Sequence, residues 1–438
     1  MPSHRRAIAF VGTLLLAAPL ALASAWAAPA AQAATTADPA KVGMYGAPDR
    51  PFLEFDAVFV HSLAMLGLVA SGGTPAPEAI AWLTAQQCPD GGFAAFRTPV
   101  GAPCPPTDLG AFTGEDSNST AVAAMALRAV GKSPEAQLAE AWLNGLRDGA
   151  NGWPYLLGSG SDPNSTGLVL MALATAGVSP APTADAYADG VRVGCAGLAA
   201  DQGGITSPFS GGAPDLLGTV QAVPGLAAAT LPIGPTGTWA DDAPALVCPE
   251  AATPDAALIA GHAAAWLEAQ QAAGAIDGAN AGWAILGLRA VSAGRPEADA
   301  LYAALEPAAL ASTNPGLVGL GALAAHALGE TGDAAAYRAA IAALLTTAPP
   351  AATPPAPTPA PAPSTPPATL PATFPAALPN AGPPQAVLDM ALVAAGLLVL
   401  GGVLLAVGRR RRGSETAAAP HSPTPESPIP GSPEPGSR

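Results

Sequence analysis

Charge is scarce in this 438-residue chain: Asp, Glu, Lys and Arg together make up 11% of it, and aromatic residues only 5%. What little basic charge exists is outweighed, and the formal net charge is −15. Residues 35–347 hold 28 acidic and 10 basic residues, a net charge of −18. A surface with that balance repels nucleic acid and anionic lipid, so neither is an expected partner of this region. Cysteine is limited to four residues, and no C-x2-C spacing is present, which argues against a thiolate zinc site. Four cysteines allow three pairings, and proximity in sequence predicts Cys88 with Cys104 and Cys195 with Cys248, each stapling a loop between helices. Histidine is equally sparse between 35 and 347, where only His61, His262 and His326 occur.

Apolar residues supply 50% of the chain, with 49 glycines and 51 prolines, and they are unevenly placed. His4, Arg5 and Arg6 precede an apolar run, and small-residue sites such as Ala31-Gln32-Ala33 follow it. Residues 1–33 are therefore expected to be a secretory signal peptide rather than part of the fold. Residues 386–408 form a second apolar stretch, long enough to cross a hydrocarbon core of roughly 30 Å. Arg409 to Arg412 follow it directly, which predicts a transmembrane helix with a cytoplasmic tail over 409–438. Between 349 and 384 lie 15 prolines, so 348–385 is expected to be an extended stalk rather than a packed element.

A short phrase recurs between these ends: an acidic cap followed by eleven small and aliphatic residues ending in Leu. Asp116 to Leu127 and Asp162 to Leu173 are two copies, and Asp215 to Leu226 and Asp277 to Leu288 keep the spacing. Ser312 to Leu323 repeats it with Ser in the cap, and Asp56 opens a looser first copy. Six such helix starts within about 260 residues predict an all-α repeat protein. Each phrase begins an A helix that is nearly free of charge, and a B helix with one charged face follows it. The A helices are expected at 54–70, 117–130, 163–177, 215–230, 279–293 and 315–329. The B helices are expected at 76–87, 134–147, 183–198, 254–272, 296–309 and 333–346. A helix apolar on every side is buried on every side. Six buried helices alternating with six half-exposed ones predict an (α/α)6 toroid of six helical hairpins over 35–347.

Several loops carry a signature. Ala81-Trp82-Leu83-Thr84-Ala85-Gln86-Gln87 leads to Asp90-Gly91-Gly92-Phe93, and Ala141-Trp142-Leu143 leads to Asp148-Gly149, Gly152 and Trp153. Ala265-Trp266-Leu267 with Gln270 and Gln271 leads to Asp277-Gly278 and Trp283, while only Asp201-Gln202-Gly203-Gly204 survives in the third repeat. This pattern resembles the repeat of protein prenyltransferases and squalene cyclases, and it implies the same toroidal fold. Immediately before the apolar stretch, Leu378-Pro379-Asn380-Ala381-Gly382 resembles the L-P-x-T-G sorting signal of sortase-anchored bacterial surface proteins. Ala381 replaces the usual Thr and a long tail follows the Arg cluster. Processing by a sortase and a retained membrane anchor therefore both stand as expectations. In either case residues 35–347 are displayed outside the cell.

The chemistry of the resembling enzymes is not evident in these residues. Class II cyclases use an Asp-x-Asp-Asp acid, and no such motif occurs; Asp241-Asp242 is a bare pair in a Pro-rich loop. Prenyltransferases hold zinc through Asp, Cys and His, but His61 and His326 lie at depths along their helices differing by roughly 13 Å. The complement-type thioester sequence Cys-Gly-Glu-Gln is also absent. No catalytic set, metal or cofactor is therefore expected. What remains is the ring of caps: Asp56, Asp116, Asp162, Asp215 and Asp277, with Asn118 and Asn164 beside them, all at one mouth of the ring. Asp at an N-cap accepts backbone N–H bonds for about 1 kcal/mol, and that alone explains its presence. Carboxylates and amides around one opening also make a polar rim for a small molecule, a surface glycan or a protein. The expectation is a surface-anchored, non-catalytic ring that binds a ligand or partner at its mouth or cavity. Vitamin B12 carriers of the intrinsic factor and transcobalamin type are similar in fold, but no equivalent of their second, β domain is visible. Two alternatives stay open: a glycan- or isoprenoid-processing enzyme of the (α/α)6 class, and a structural or adhesive display module.

Overall fold

The computed structural model of the chain describes residues 39–46, 53–97, 103–148, 152–178, 181–250 and 254–347. The expected signal peptide (1–33), stalk with the 378–382 motif, membrane span (386–408) and tail (409–438) lie outside the described residues. None of the described helices is long and apolar enough to cross a membrane.

The fold is all-α. Twelve α-helices are described: α1 (Leu53–Ala70), α2 (Pro77–Gln86), α3 (Ser117–Ala129), α4 (Ser133–Leu146), α5 (Pro163–Thr175) and α6 (Ala181–Val191). They continue as α7 (Leu216–Leu226), α8 (Ala256–Ala272), α9 (Gly278–Val291), α10 (Arg295–Leu310), α11 (Pro315–Leu328) and α12 (Ala334–Ala343). Among the described residues β-structure is confined to isolated bridges.

The odd-numbered helices are the A phrases, and they are buried on all sides as their composition requires. Every residue from Thr120 to Leu127 in α3 and from Ser165 to Leu173 in α5 is buried. The even-numbered helices bury one stripe. In α4 this is Ala136, Ala139, Glu140, Leu143 and Leu146, the spacing of one face of a 3.6-residue helix. Each odd helix packs on the next: α1 on α3, α3 on α5, α5 on α7, α7 on α9, α9 on α11, and α11 back on α1. The contacts advance in the same direction along both partners. A methyl on Gly316 would meet Val60, one on Gly319 would meet Leu63, and one on Gly67 would meet Ala322, so α1 and α11 run parallel. Pro163 against Gly218 and Gly167 against Gly225 give the same sense for α5 and α7.

The two ends of the helical region are clasped. Gly43 N–H donates to Thr346 O (2.8 Å), Thr346 N–H to Met44 O (2.9 Å), and Gly46 N–H to Leu344 O (2.8 Å). Behind this clasp His61 is fully buried, its Nδ1 accepting the Tyr45 N–H (3.0 Å) and its Nε2 donating to Ala79 O (3.1 Å). Burial holds its pKa down to about 3, so it is a neutral packing imidazole, stacked on Tyr45 and tilted against Trp82.

Three expectations from the sequence need correcting. Asp56 is not a cap, because α1 starts at Leu53 and Asp56 lies one turn inside it. Ser312 does not cap α11 either: Asn314 does, accepting the Gly316 N–H, while the Ser312 hydroxyl accepts the Asn314 N–H (2.9 Å). The third B helix ends at Val191, well short of 198. Val193 N–H donates to Gly204 O and Gly203 N–H to Val193 O, so backbone groups that would extend α6 pair with the following loop instead.

Candidate functional site

The recurring phrase builds a stitch. In three successive repeats the Asp backbone N–H donates to a carbonyl of the preceding loop: Asp116 to Phe93, Asp162 to Trp153, Asp215 to Ile205. The N–H of that same loop residue then donates to the Thr hydroxyl four positions after the Asp. The pairs are Phe93 with Thr120 (2.9 Å), Trp153 with Thr166 (2.9 Å) and Ile205 with Thr219 (3.1 Å). This satisfies both backbone groups of a buried loop residue and brings the long loops before α3, α5 and α7 to one end of the bundle.

The cap carboxylates divide into two kinds. Asp116 and Asp162 are buried, and each accepts the N–H three residues on, from Ser119 (2.6 Å) and Ser165 (2.8 Å). Burial pushes the Asp116 carboxyl up to about 7, against the pull of its cap hydrogen bonds, and its Oδ2 is buried without a partner. Asp162 is raised for the same reason, with the nearby Asp215 charge adding to it. Burial also raises the Tyr155 hydroxyl, helped by the charges of Asp116 and Asp162. The structure thus brings Asp116, Asp162 and Asp215 within electrostatic reach of their neighbours around one end. Asp215 and Asp277 occupy the cap position but make no side-chain cap bond; Asp215 is half-buried and Asp277 exposed. Asn118 and Asn164 are half-buried in the first turns of α3 and α5, and Asp56, also half-buried, stands inside α1.

A carboxylate pair that nothing in the sequence spacing marks lies beside the Asp116 cap. Glu115 faces Asp90, and its carboxyl is raised to about 7 by burial and then by the charge and hydrogen bond of Asp90. In the next repeat the same place is held by Ser161, which donates to Asp148 through both N–H (2.8 Å) and hydroxyl. Glu115 also lies beside Cys88 and Cys104, but both sulfurs are committed to a disulfide. The second disulfide joins Cys195 to Cys248, so both bridges follow the expected pairing.

The same end of the bundle exposes large apolar side chains. Leu109 and Phe112 stand on the loop before α3, Leu157 on the loop before α5, and Leu198 and Phe209 on the loop before α7; all are solvent-exposed. Leu109 reaches across to Gly158 of the neighbouring loop. A cleft of about 400 Å³ opens here, lined by Ser207, Phe209, Pro214, Asp215 and Leu216. No feature of the sequence marked these loop positions, because exposure of an isolated Leu or Phe is decided only by what folds over it.

The opposite end is partly closed by the connection from α7 to α8. Arg289 Nε donates to Gly234 O (3.1 Å) and its Nη2 to Thr236 O, and Arg289 and Arg295 both stack on Trp239, at 5.2 and 5.5 Å. Between that connection and the ends of α1 and α11 lies a cleft of about 290 Å³, lined by Ser71, Pro235, His326 and Glu330 among others. Glu330 is within 3.6 Å of Arg295.

The chain matches no known family of proteins and no curated protein sequence.

Proposed function

We propose that the helical region is an extracellular, surface-anchored (α/α)6 toroid, without catalytic function, that binds a partner at the end where the odd helices begin. The closed order of helix neighbours, α11 returning to α1, supports the toroid and its resemblance to the prenyltransferase and squalene cyclase repeat. Two disulfides suit an oxidising compartment outside the cell, as do the expected signal peptide and anchor. The observation that carries the binding proposal is the set of exposed apolar side chains on three adjacent loops, Leu109, Phe112, Leu157, Leu198 and Phe209. Large apolar side chains left exposed on one surface mark interaction sites. The odd helices below are packed through with buried Met65, Met125, Met171 and their neighbours, which favours the loop-bearing surface over an axial cavity.

The test uses a photo-reactive benzoylphenylalanine placed in the full chain on its own cell surface. Adducts are expected at positions 112 and 209 and not at 178, which follows α5 at the other end. Equal labelling at all three positions, or none at 112 and 209, counts against the proposal.

A further inference from the structure

Asp215 differs from its counterparts in a way that frees it. In the two preceding repeats the carboxylate is buried and spent on the N–H of Ser119 or Ser165. Asp215 holds the same backbone station, with its N–H on Ile205 and its carbonyl receiving the Thr219 N–H, yet its carboxylate makes no cap bond. It lines a cleft of about 400 Å³ together with Phe209, whose side chain is 89% exposed. Pro214 and Leu216 give that cleft apolar walls. The carboxylate stands at the N-terminus of α7. Arg192, the only basic residue between 192 and 215, is already bound by Asp189 and Glu250.

We infer that this cleft receives a basic side chain, arginine or lysine, from a peptide partner. The inference rests on the proposal that this end of the ring is the binding face, and it names the partner's chemistry. Such a side chain has an apolar stem and a cationic head. The stem matches Pro214 and Leu216, the head matches the Asp215 carboxylate, and the exposed ring of Phe209 offers its negative face to the same cation. Charge complementarity points the same way: residues 35–347 carry −18, and Asp162 stands close enough to Asp215 to feel its charge. Cations are therefore drawn toward this surface before contact is made.

The experiment measures binding of two blocked tripeptides to the full chain in detergent at low salt: acetyl-Leu-Arg-Leu-amide, and the same peptide with uncharged citrulline. The arginine peptide is expected to bind about tenfold more tightly, with most of that advantage lost in high salt. Asp215→Asn cuts the difference between the peptides to about threefold, the share left to the Phe209 ring, and Phe209→Ala weakens the arginine peptide about threefold. Asp255→Asn, which keeps the cap acceptor of α8 away from this face, changes neither. Because Asp215 carries no cap bond, its Asn variant keeps the fold, and an unchanged thermal midpoint checks this. Equal affinity of the two peptides, no binding of either at millimolar concentration, or the same response in Asp255→Asn overturns the inference. So does a neutral oligosaccharide such as maltohexaose that binds with the same sensitivity to Asp215 and Phe209. Photo-adducts at 112 and 209 that persist in Asp215→Asn leave the binding face standing and remove only the basic side chain. Absence of those adducts in the unmodified chain removes both.

Discussion

Gly67 of α1 and Gly319 of α11 meet backbone to backbone: a methyl on Gly67 would lie 2.7 Å from both Cα and O of Gly319. A methyl on Gly319 would in turn lie 2.4 Å from Leu63 O. This seam joins the first and last buried helices, so the closure of the neighbour series depends on having no side chain there. Gly167 and Gly225 make a matching seam between α5 and α7, where a methyl on either would fall 2.2 Å from a carbonyl oxygen.

Gly319→Ala is therefore expected to cost about 3 kcal/mol through overpacking, although alanine is the better helix former. Gly145 in α4 has open space around its missing methyl, and Gly145→Ala is expected to stabilise by about 0.5–1 kcal/mol. Chemical denaturation of the two variants reads the opposite signs. A neutral or stabilising Gly319→Ala shows that the helices do not approach so closely.

The Thr stitch gives a second expectation. Removing the hydroxyl in Thr120→Val leaves the buried Phe93 N–H without its acceptor, at a cost of about 1–3 kcal/mol. Thr166→Val repeats the loss at Trp153. Thr→Ser at either place retains the acceptor and costs much less. If Val and Ser variants unfold at the same denaturant concentration, the hydroxyl is not an obligatory partner.

Two buried groups give opposing pH dependences. The Asp116 carboxyl is raised from its ordinary range near 4 to about 7, so the folded state binds the extra proton. Its contribution is fully present below about pH 3.8 and is lost as pH rises through about 7. The His61 imidazole is lowered from its ordinary value near 6.5 to about 3, so the unfolded state binds the extra proton. Its contribution is fully present above pH 6.5 and is lost as pH falls toward 3. Each alone gives a slope of about 1.4 kcal/mol per pH unit, and between pH 4 and 6.5 the two oppose one another. Asp116→Asn keeps the cap acceptor and abolishes one slope. Stability in that variant is expected to rise more steeply with pH between 4 and 6.5 than in the unmodified chain. Glu115, raised by burial and Asp90, adds to the Asp116 trend but less strongly because it is half-exposed. Thermal midpoints across pH 4–8 that show no change in slope for Asp116→Asn contradict the buried carboxyl.

The disulfides close loops of different length, 16 residues for Cys88–Cys104 and 53 for Cys195–Cys248. On chain entropy alone the longer bridge contributes about 1 kcal/mol more. Replacing both partners of each pair by Ser should rank them in that order by denaturant midpoint. The reverse order shows that native contacts made by the shorter loop dominate.

Much of the architecture was legible because local chemistry decides it. The alternation of chargeless and one-faced helices follows from burial, and Asp116 and Asp162 cap their helices because a carboxylate can accept the N–H three residues on. Asp215 and Asp277 hold the same position without that bond. The cysteine pairing followed from proximity. Asp56 and Ser312 do not cap, because the chain is already helical from Leu53 and because Asn314 stands next to the first residue of α11. Likewise α6 stops at Val191 only because Gly203 and Gly204 fold back to take its hydrogen bonds.

Local sequence was enough to say that the helices form, which of them are buried, and that Asp116 and Asp162 cap theirs, since each of these depends on neighbours within a few positions. Tertiary structure alone decided that Glu115 meets Asp90 and that Asp215 lines a cleft with Phe209. It also decided that loops separated by dozens of residues share one end of the bundle. Burial and the field of distant charges set those properties, and both arise only when the chain has closed upon itself.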